Sequence, residues 1–185
     1  MTTRARLGKA APGRPWGTPL LALGLAVGCD AAMTNQGYEP VQPIAYSHAQ
    51  HAGELKIDCL YCHFGAEKSR HAGVPPVSVC MNCHEKVRTD SPEIQKLAAA
   101  FKASKPVEWV KVHRLPDFAY FNHARHVVGG KLACQTCHGP VETMTRVRQA
   151  ESLSMGWCLG CHRGAEGHLQ PEKGASSTDC SSGHL

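Results

Sequence analysis

Four copies of one short pattern concentrate the chemistry of this chain. They read Cys59-Leu-Tyr-Cys62-His63, Cys80-Met-Asn-Cys83-His84, Cys134-Gln-Thr-Cys137-His138 and Cys158-Leu-Gly-Cys161-His162, and an incomplete fifth closes the sequence as Cys180-Ser-Ser-Gly183-His184. Cys-x-x-Cys-His is the form of a c-type haem attachment site. Two thiols can form thioethers with the haem vinyl groups, and the following imidazole can take the iron from one face. Paired Cys-x-x-Cys units also describe four-thiolate zinc sites, and the 17 residues between Cys62 and Cys80 and the 20 between Cys137 and Cys158 would suit two zinc ribbons. The residue after each second cysteine separates the readings. All four are His in a chain where His is 12 of 185 residues. A zinc ribbon has no use for that imidazole, whereas a haem iron does. The expected proximal ligands are therefore His63, His84, His138, His162 and His184. The expected thioether cysteines are Cys59, Cys62, Cys80, Cys83, Cys134, Cys137, Cys158, Cys161 and Cys180. Gly183 cannot form a thioether, so a fifth haem would hang on Cys180 and the iron bond alone.

A six-coordinate iron needs a ligand on its other face, which His or Met can supply. Seven histidines lie outside the motifs: His48, His51, His71, His113, His123, His126 and His168. Five of them, His48, His51, His113, His123 and His126, are taken as distal ligands, enough for five bis-His haems. His71, beside a Gly-Val-Pro turn, and His168, in the Gly-rich tail, read as surface residues. Met81, Met144 and Met155 are possible axial ligands in principle, but Met more commonly packs against apolar surface.

The elements that must position these groups repeat. Tyr46-x-His48-x-x-His51, then seven residues and Cys59, is matched by Phe121-x-His123-x-x-His126, then seven residues and Cys134, every position offset by 75. The second motif of each half follows at an offset of 78. The spacing predicts two similar haem-pair units, 46–84 and 121–162, within one domain spanning 46–185. Between them Ser91-Pro92-Glu93 opens a helix with an N-cap, a proline at N1 and an acid in the first turn. Ile94, Leu97, Ala98 and Phe101 form its apolar face, and Pro106 marks its stop. Residues 107–120 read as extended, and short helices are expected to lead into the motifs, as over 152–162.

The N-terminus reads as an export segment over residues 1–28: four basic residues, then an apolar run. Between Arg14 and Asp30 lie 15 uncharged residues, fewer than the roughly 17–25 that a spanning helix needs. Ala26-Val27-Gly28-Cys29 has the small residues of a lipoprotein processing box, which makes Cys29 the expected lipidation site. A signal peptide that merely contains a cysteine is the other reading. Residues 29–45, polar and containing Gly37, Pro40 and Pro43, read as a linker to the domain.

Composition bounds the fold. Hydrophobic residues are 42% of the chain but aromatics only 6%, so large side chains are too few to fill a core. Bound haems would supply the missing apolar volume. The expected fold is a multihaem cytochrome c of mainly short α-helices and irregular chain wrapped around haems, with little or no sheet, and unfolded without them. Four basic residues and no acidic one precede Cys29, so removing that segment takes the formal charge from +5 to +1. No nucleic-acid partner is indicated.

Two resemblances add to this reading. The His-x-x-His pairs resemble those of class III multihaem cytochromes c. That resemblance implies that His48 caps the haem of His63 and His123 that of His138, while His51 and His126 reach haems elsewhere. Beyond the motifs, Pro43-Ile-Ala-Tyr-Ser-His48, Trp109-Val-Lys-Val-His113-Arg-Leu-Pro-Asp-Phe-Ala-Tyr-Phe-Asn-His123 and Ser152-Leu-Ser-Met-Gly-Trp-Cys158 are specific wording. Residues 40–185 resemble the pentahaem cytochrome c subunit of alternative complex III and related subunits of molybdopterin-oxidoreductase-like membrane complexes. The resemblance implies an electron-carrier subunit on the periplasmic side of a bacterial cytoplasmic membrane. It implies iron–sulfur/molybdopterin-like and quinol-binding partners, and a monohaem cytochrome c or oxidase as acceptor. The chain departs from that pattern at Gly183 and in its lipid-type anchor.

Three functions compete. An electron relay needs only six-coordinate haems, for which the histidines suffice. A multihaem reductase needs an open iron and acid/base groups; a fifth haem without a distal ligand would be its only opening. A freestanding periplasmic carrier shares all the haem chemistry. The relay is the expected function, with no catalytic residues of its own.

Overall fold

The computed structural model describes residues 34–164. The export segment, Cys29, His168 and the Cys180–His184 pattern lie outside the described residues. Among the described residues are five short α-helices: α1 (Cys59–Cys62), α2 (Val77–His84), α3 (Pro92–Lys102), α4 (Gln135–His138) and α5 (Met155–His162). Two π-helical turns, Ala49–Glu54 and Arg125–Gly129, carry the second histidine of each His-x-x-His pair, and a 3-10 turn spans Val141–Thr143. Among the described residues there is no strand.

The duplication seen in the sequence is present in the backbone. Both π turns begin on an αR residue and close with matching bonds: Leu55 N–H donates to the Gln50 carbonyl and Gly130 N–H to that of Arg125, at 3.0 and 2.9 Å. Lys56 and Lys131, again 75 apart, both adopt left-handed φ (56° and 51°). This conformation is costly for a residue with a Cβ, and it turns the chain out of each π turn towards its motif helix. The halves then clasp each other reciprocally. Ala49 N–H donates to the Met144 carbonyl (2.9 Å), and its counterpart Ala124 N–H donates to the Ser69 carbonyl (3.1 Å).

The middle helix forms over the expected residues, but two details differ. Ser91 occupies the N-cap position without a side-chain cap bond, so Pro92 at N1 and Glu93 in the first turn do the starting. Phe101, expected on the apolar face, is 43% exposed. The face ends with Ile94, Leu97 and Ala98, which pack on Ile44, Met81, Val77 and Trp109. Residues 107–120 are irregular, as a proline-containing extended stretch would be.

That packing is the largest core in the described residues, and it is small. The buried apolar side chains are Ile44, Ala66, Met81, Leu97, Met144 and Leu153, while Tyr61, Phe64, Phe118 and Tyr120 are substantially exposed. So few buried side chains cannot by themselves offset the chain entropy of a domain this size.

The described part of the expected linker, residues 34–45, belongs to the folded body. Ile44 is a core residue, and the Gln42 side chain both accepts from Val110 N–H (2.9 Å) and donates to its carbonyl (3.0 Å). Gln149 completes the attachment. It is fully buried, its amide donates to the Thr34 and Glu151 carbonyls (2.6 and 3.0 Å), and its side-chain oxygen accepts from Arg114 N–H (2.9 Å). One side chain thus ties the N-terminal arm, the segment after His113 and the approach to the fourth motif. A polar composition concealed this, because amide side chains pair with backbone as readily as with water.

Candidate haem sites

Each intact motif lies on a helical turn, and this is what aligns its three functional groups. Residues i, i+3 and i+4 share one helix face, so both thiols and the imidazole point the same way. Asp58 caps α1 by accepting from Leu60 N–H (2.7 Å), and Ser154 caps α5 by accepting from Trp157 N–H (3.3 Å). None of the eight intact-motif cysteines is in a disulfide, and all are exposed or half-buried. Burial raises the Cys137 thiol to about 11 and, less strongly, those of Cys62, Cys80, Cys134 and Cys158.

The imidazoles come together two by two. His48 faces His63 and His123 faces His138, both with ring centroids 6.4 Å apart and planes 3° and 7° from parallel. His51 faces His84 and His126 faces His162, both at 6.1 Å with planes crossed by 62° and 52°. A ligating imidazole nitrogen lies about 2 Å from a first-row metal, so two rings on opposite sides of one ion have centroids about 6.3 Å apart. The spacing of all four pairs fits one iron between them. Among the described residues no group of three or more His, Cys, Asp or Glu gathers into a site for a bare metal ion.

The tautomers suit ligation. Nδ1–H of His51 donates to the Ser47 carbonyl, that of His63 to Gly73, that of His84 to Val87, that of His123 to Arg70 and that of His126 to Asn122, at 2.6–3.0 Å. A carbonyl can only accept, so the proton is on Nδ1 and the Nε2 lone pair is left for a metal. Burial lowers His138 to about 3 and His48 to about 4, and neighbouring imidazoles add to both shifts. These rings are neutral at physiological pH, as ligands must be. His48 Nδ1 is buried with no partner, unlike its counterpart on His123.

His113 is not opposite a described motif histidine. Its Nε2 lies 3.1 Å from Nδ1 of His138, with the two rings edge to face. His71 is exposed. Met81 and Met144 are buried as packing, and Met155 is 62% exposed. Sequence reasoning assigned no role to Tyr46 and Phe121 beyond marking the repeat, yet each touches both histidines of its pair.

The described residues form short helices with no strand, and residues 119–185 match the family described as cytochrome c7 and related cytochrome c. The cofactors that family implies are c-type haems. The chain is also similar to the protein named menaquinone reductase, multiheme cytochrome c subunit, of Nitratidesulfovibrio vulgaris. The two are 35% identical over 98 residues, which cover 52% of this chain and 45% of the relative. The match therefore spans less than half the length of that curated relative.

Proposed function

We propose that the protein is an electron relay in a membrane respiratory complex that reacts with quinone. One observation carries this reading: four imidazole pairs, each spaced for a single iron, are linked one to the next by shared aromatic and side-chain contacts. In this reading the axial pairs are His63/His48, His84/His51, His138/His123 and His162/His126, and the thioethers come from the eight intact-motif cysteines. When bound, haem c supplies a one-electron ferric/ferrous couple. Bis-imidazole ligation leaves no coordination position open for substrate, so the reading is a carrier without catalytic residues.

Contacts order the relay. His48 and His51 share one aromatic neighbour, as do His123 and His126. The halves meet where the Cys59 and Cys134 thiols are in hydrogen-bond contact and where His63 and His48 influence His138. The sites then run in the order His84, His63, His138, His162.

The fifth site would use Cys180, His184 and, as distal ligand, His113. Ligation through its Nε2 would require His113 to leave the contact with His138. The export segment and Cys29 place the protein on the periplasmic face of the cytoplasmic membrane through a lipid anchor. One chain of this kind binds membranes reversibly, so partner subunits share the attachment. Those partners are an iron–sulfur/molybdopterin-like subunit and quinone-binding membrane subunits, with a monohaem cytochrome c or an oxidase receiving electrons from quinol. The name of the relative, a menaquinone reductase, favours a second reading with electrons flowing towards quinone; the same relay serves either direction.

The test is to solubilise membranes in mild detergent, purify the protein with whatever accompanies it, and follow its haem absorbance on adding menaquinol. Co-purification with quinone-reactive subunits and rapid haem reduction are expected. Reoxidation by menaquinone after chemical reduction, with no reduction by menaquinol, would reverse the direction. Release from membranes without partners would make it a freestanding carrier.

A further inference from the structure

The aromatic residue that opens each His-x-x-His segment is in contact with both imidazoles. Tyr46 meets His48 edge-on (4.8 Å, 86°) and lies face to face with His51 (4.4 Å, 24°). Phe121 repeats this against His123 (4.8 Å, 87°) and His126 (4.3 Å, 30°). The two residues differ by a hydroxyl and keep the same geometry, so the ring matters and the hydroxyl does not. His51 and His126 are each also tethered through Nδ1, to the Ser47 and Asn122 carbonyls, both at 2.8 Å. The tether aims Nε2 and resists rotation of the ring about that direction, because the Nδ1–H vector lies off the Nε2 axis. The stacked aromatic face holds the ring against the same rotation.

We propose that Tyr46 and Phe121 are positioning residues that set the axial ligand planes, turning His51 and His126 across their partners while His48 and His123 stay parallel to theirs. The consequence is visible in the rings: 62° and 52° between planes for the outer pairs, 3° and 7° for the inner ones. This rests on the axial pairs proposed above. Two parallel imidazoles donate into the same iron dπ orbital and split the d levels strongly. Crossed imidazoles donate into both and split them less. The relay therefore contains two electronic classes of bis-His haem, with two parallel sites flanked by a crossed site at each end.

The test is electron paramagnetic resonance of the oxidised, haem-loaded full chain. The wild type is expected to give a rhombic low-spin signal from the inner haems and a large-g-maximum signal from the outer ones. In Tyr46→Leu the large-g-maximum signal should lose one of its two contributing haems to a rhombic form, with haem content and low-spin absorbance unchanged. Phe121→Leu should do the same to the other, and Tyr46→Phe should change nothing. A fifth haem contributes equally to wild type and variant and drops out of the difference. Unchanged signals in both leucine variants would overturn the proposal, as would haem loss or high-spin iron in both, which would mean a merely structural role. A wild type lacking low-spin bis-imidazole signals would instead remove the axial pairs themselves.

Discussion

At the scale of single residues, the chemistry depends on which nitrogen of each imidazole is bare. Five rings hold their proton on Nδ1 against a backbone carbonyl, which leaves Nε2 for a metal. Removing one distal ring should open one iron and leave the others alone. His51→Ala is expected to give one carbon-monoxide-binding haem per reduced chain, read from the difference spectrum against wild type. His113→Ala should also open one iron if the fifth site is loaded, and none of the four described pairs. That His48 faces His63 and His123 faces His138 was legible from the resemblance. The destinations of His51 and His126 were not. They depend on where packing carries the second motif of each half, and the 78-residue offset gives no hint of direction. His113 was legible as a spare imidazole but not as a neighbour of His138, since the two lie 25 positions apart in the chain.

At the scale of elements, each motif needs only one helical turn, and the turns depend on their caps because such short helices are marginal alone. Asp58→Ala, which removes the acceptor for Leu60 N–H, should destabilise the holoprotein by about 1 kcal/mol. Ser91→Ala should cost only a few tenths, since Ser91 makes no side-chain cap bond; chemical denaturation of the two variants side by side checks the contrast. The helix between the halves was readable from its start signals and apolar spacing. Its last apolar residue misled, because a four-residue stripe on a helix does not say where the opposing surface ends. The π turns could not be read from sequence either. They arise where a tight i→i+4 turn is widened by one residue, and here both widen around a histidine.

At the scale of the molecule, the two halves are joined by reciprocal backbone bonds, and Gly53 marks one close approach between them. A Cβ at Gly53 would fall on the carbonyl of Glu142, so the first π turn could no longer rest on the Val141–Thr143 turn. Gly53→Ala should destabilise the holoprotein by about 1–3 kcal/mol. A single denaturation transition moved to lower denaturant is expected, and an unshifted midpoint would argue against this contact. The scarcity of a protein core was legible from composition, since the few large apolar residues could not have filled one. That residues 34–45 join the body was not, because it relies on Gln42 and Gln149, whose side chains look like those of any polar loop.

The measurement that bears most directly on the account is the haem-to-protein ratio by pyridine haemochrome, paired with intact mass of the mature holoprotein. The account predicts at least four covalently attached haems, all of those in the intact motifs low-spin and closed to carbon monoxide; a fifth would place one on Cys180 and His184. Fewer than four, or zinc in place of haem, would contradict it.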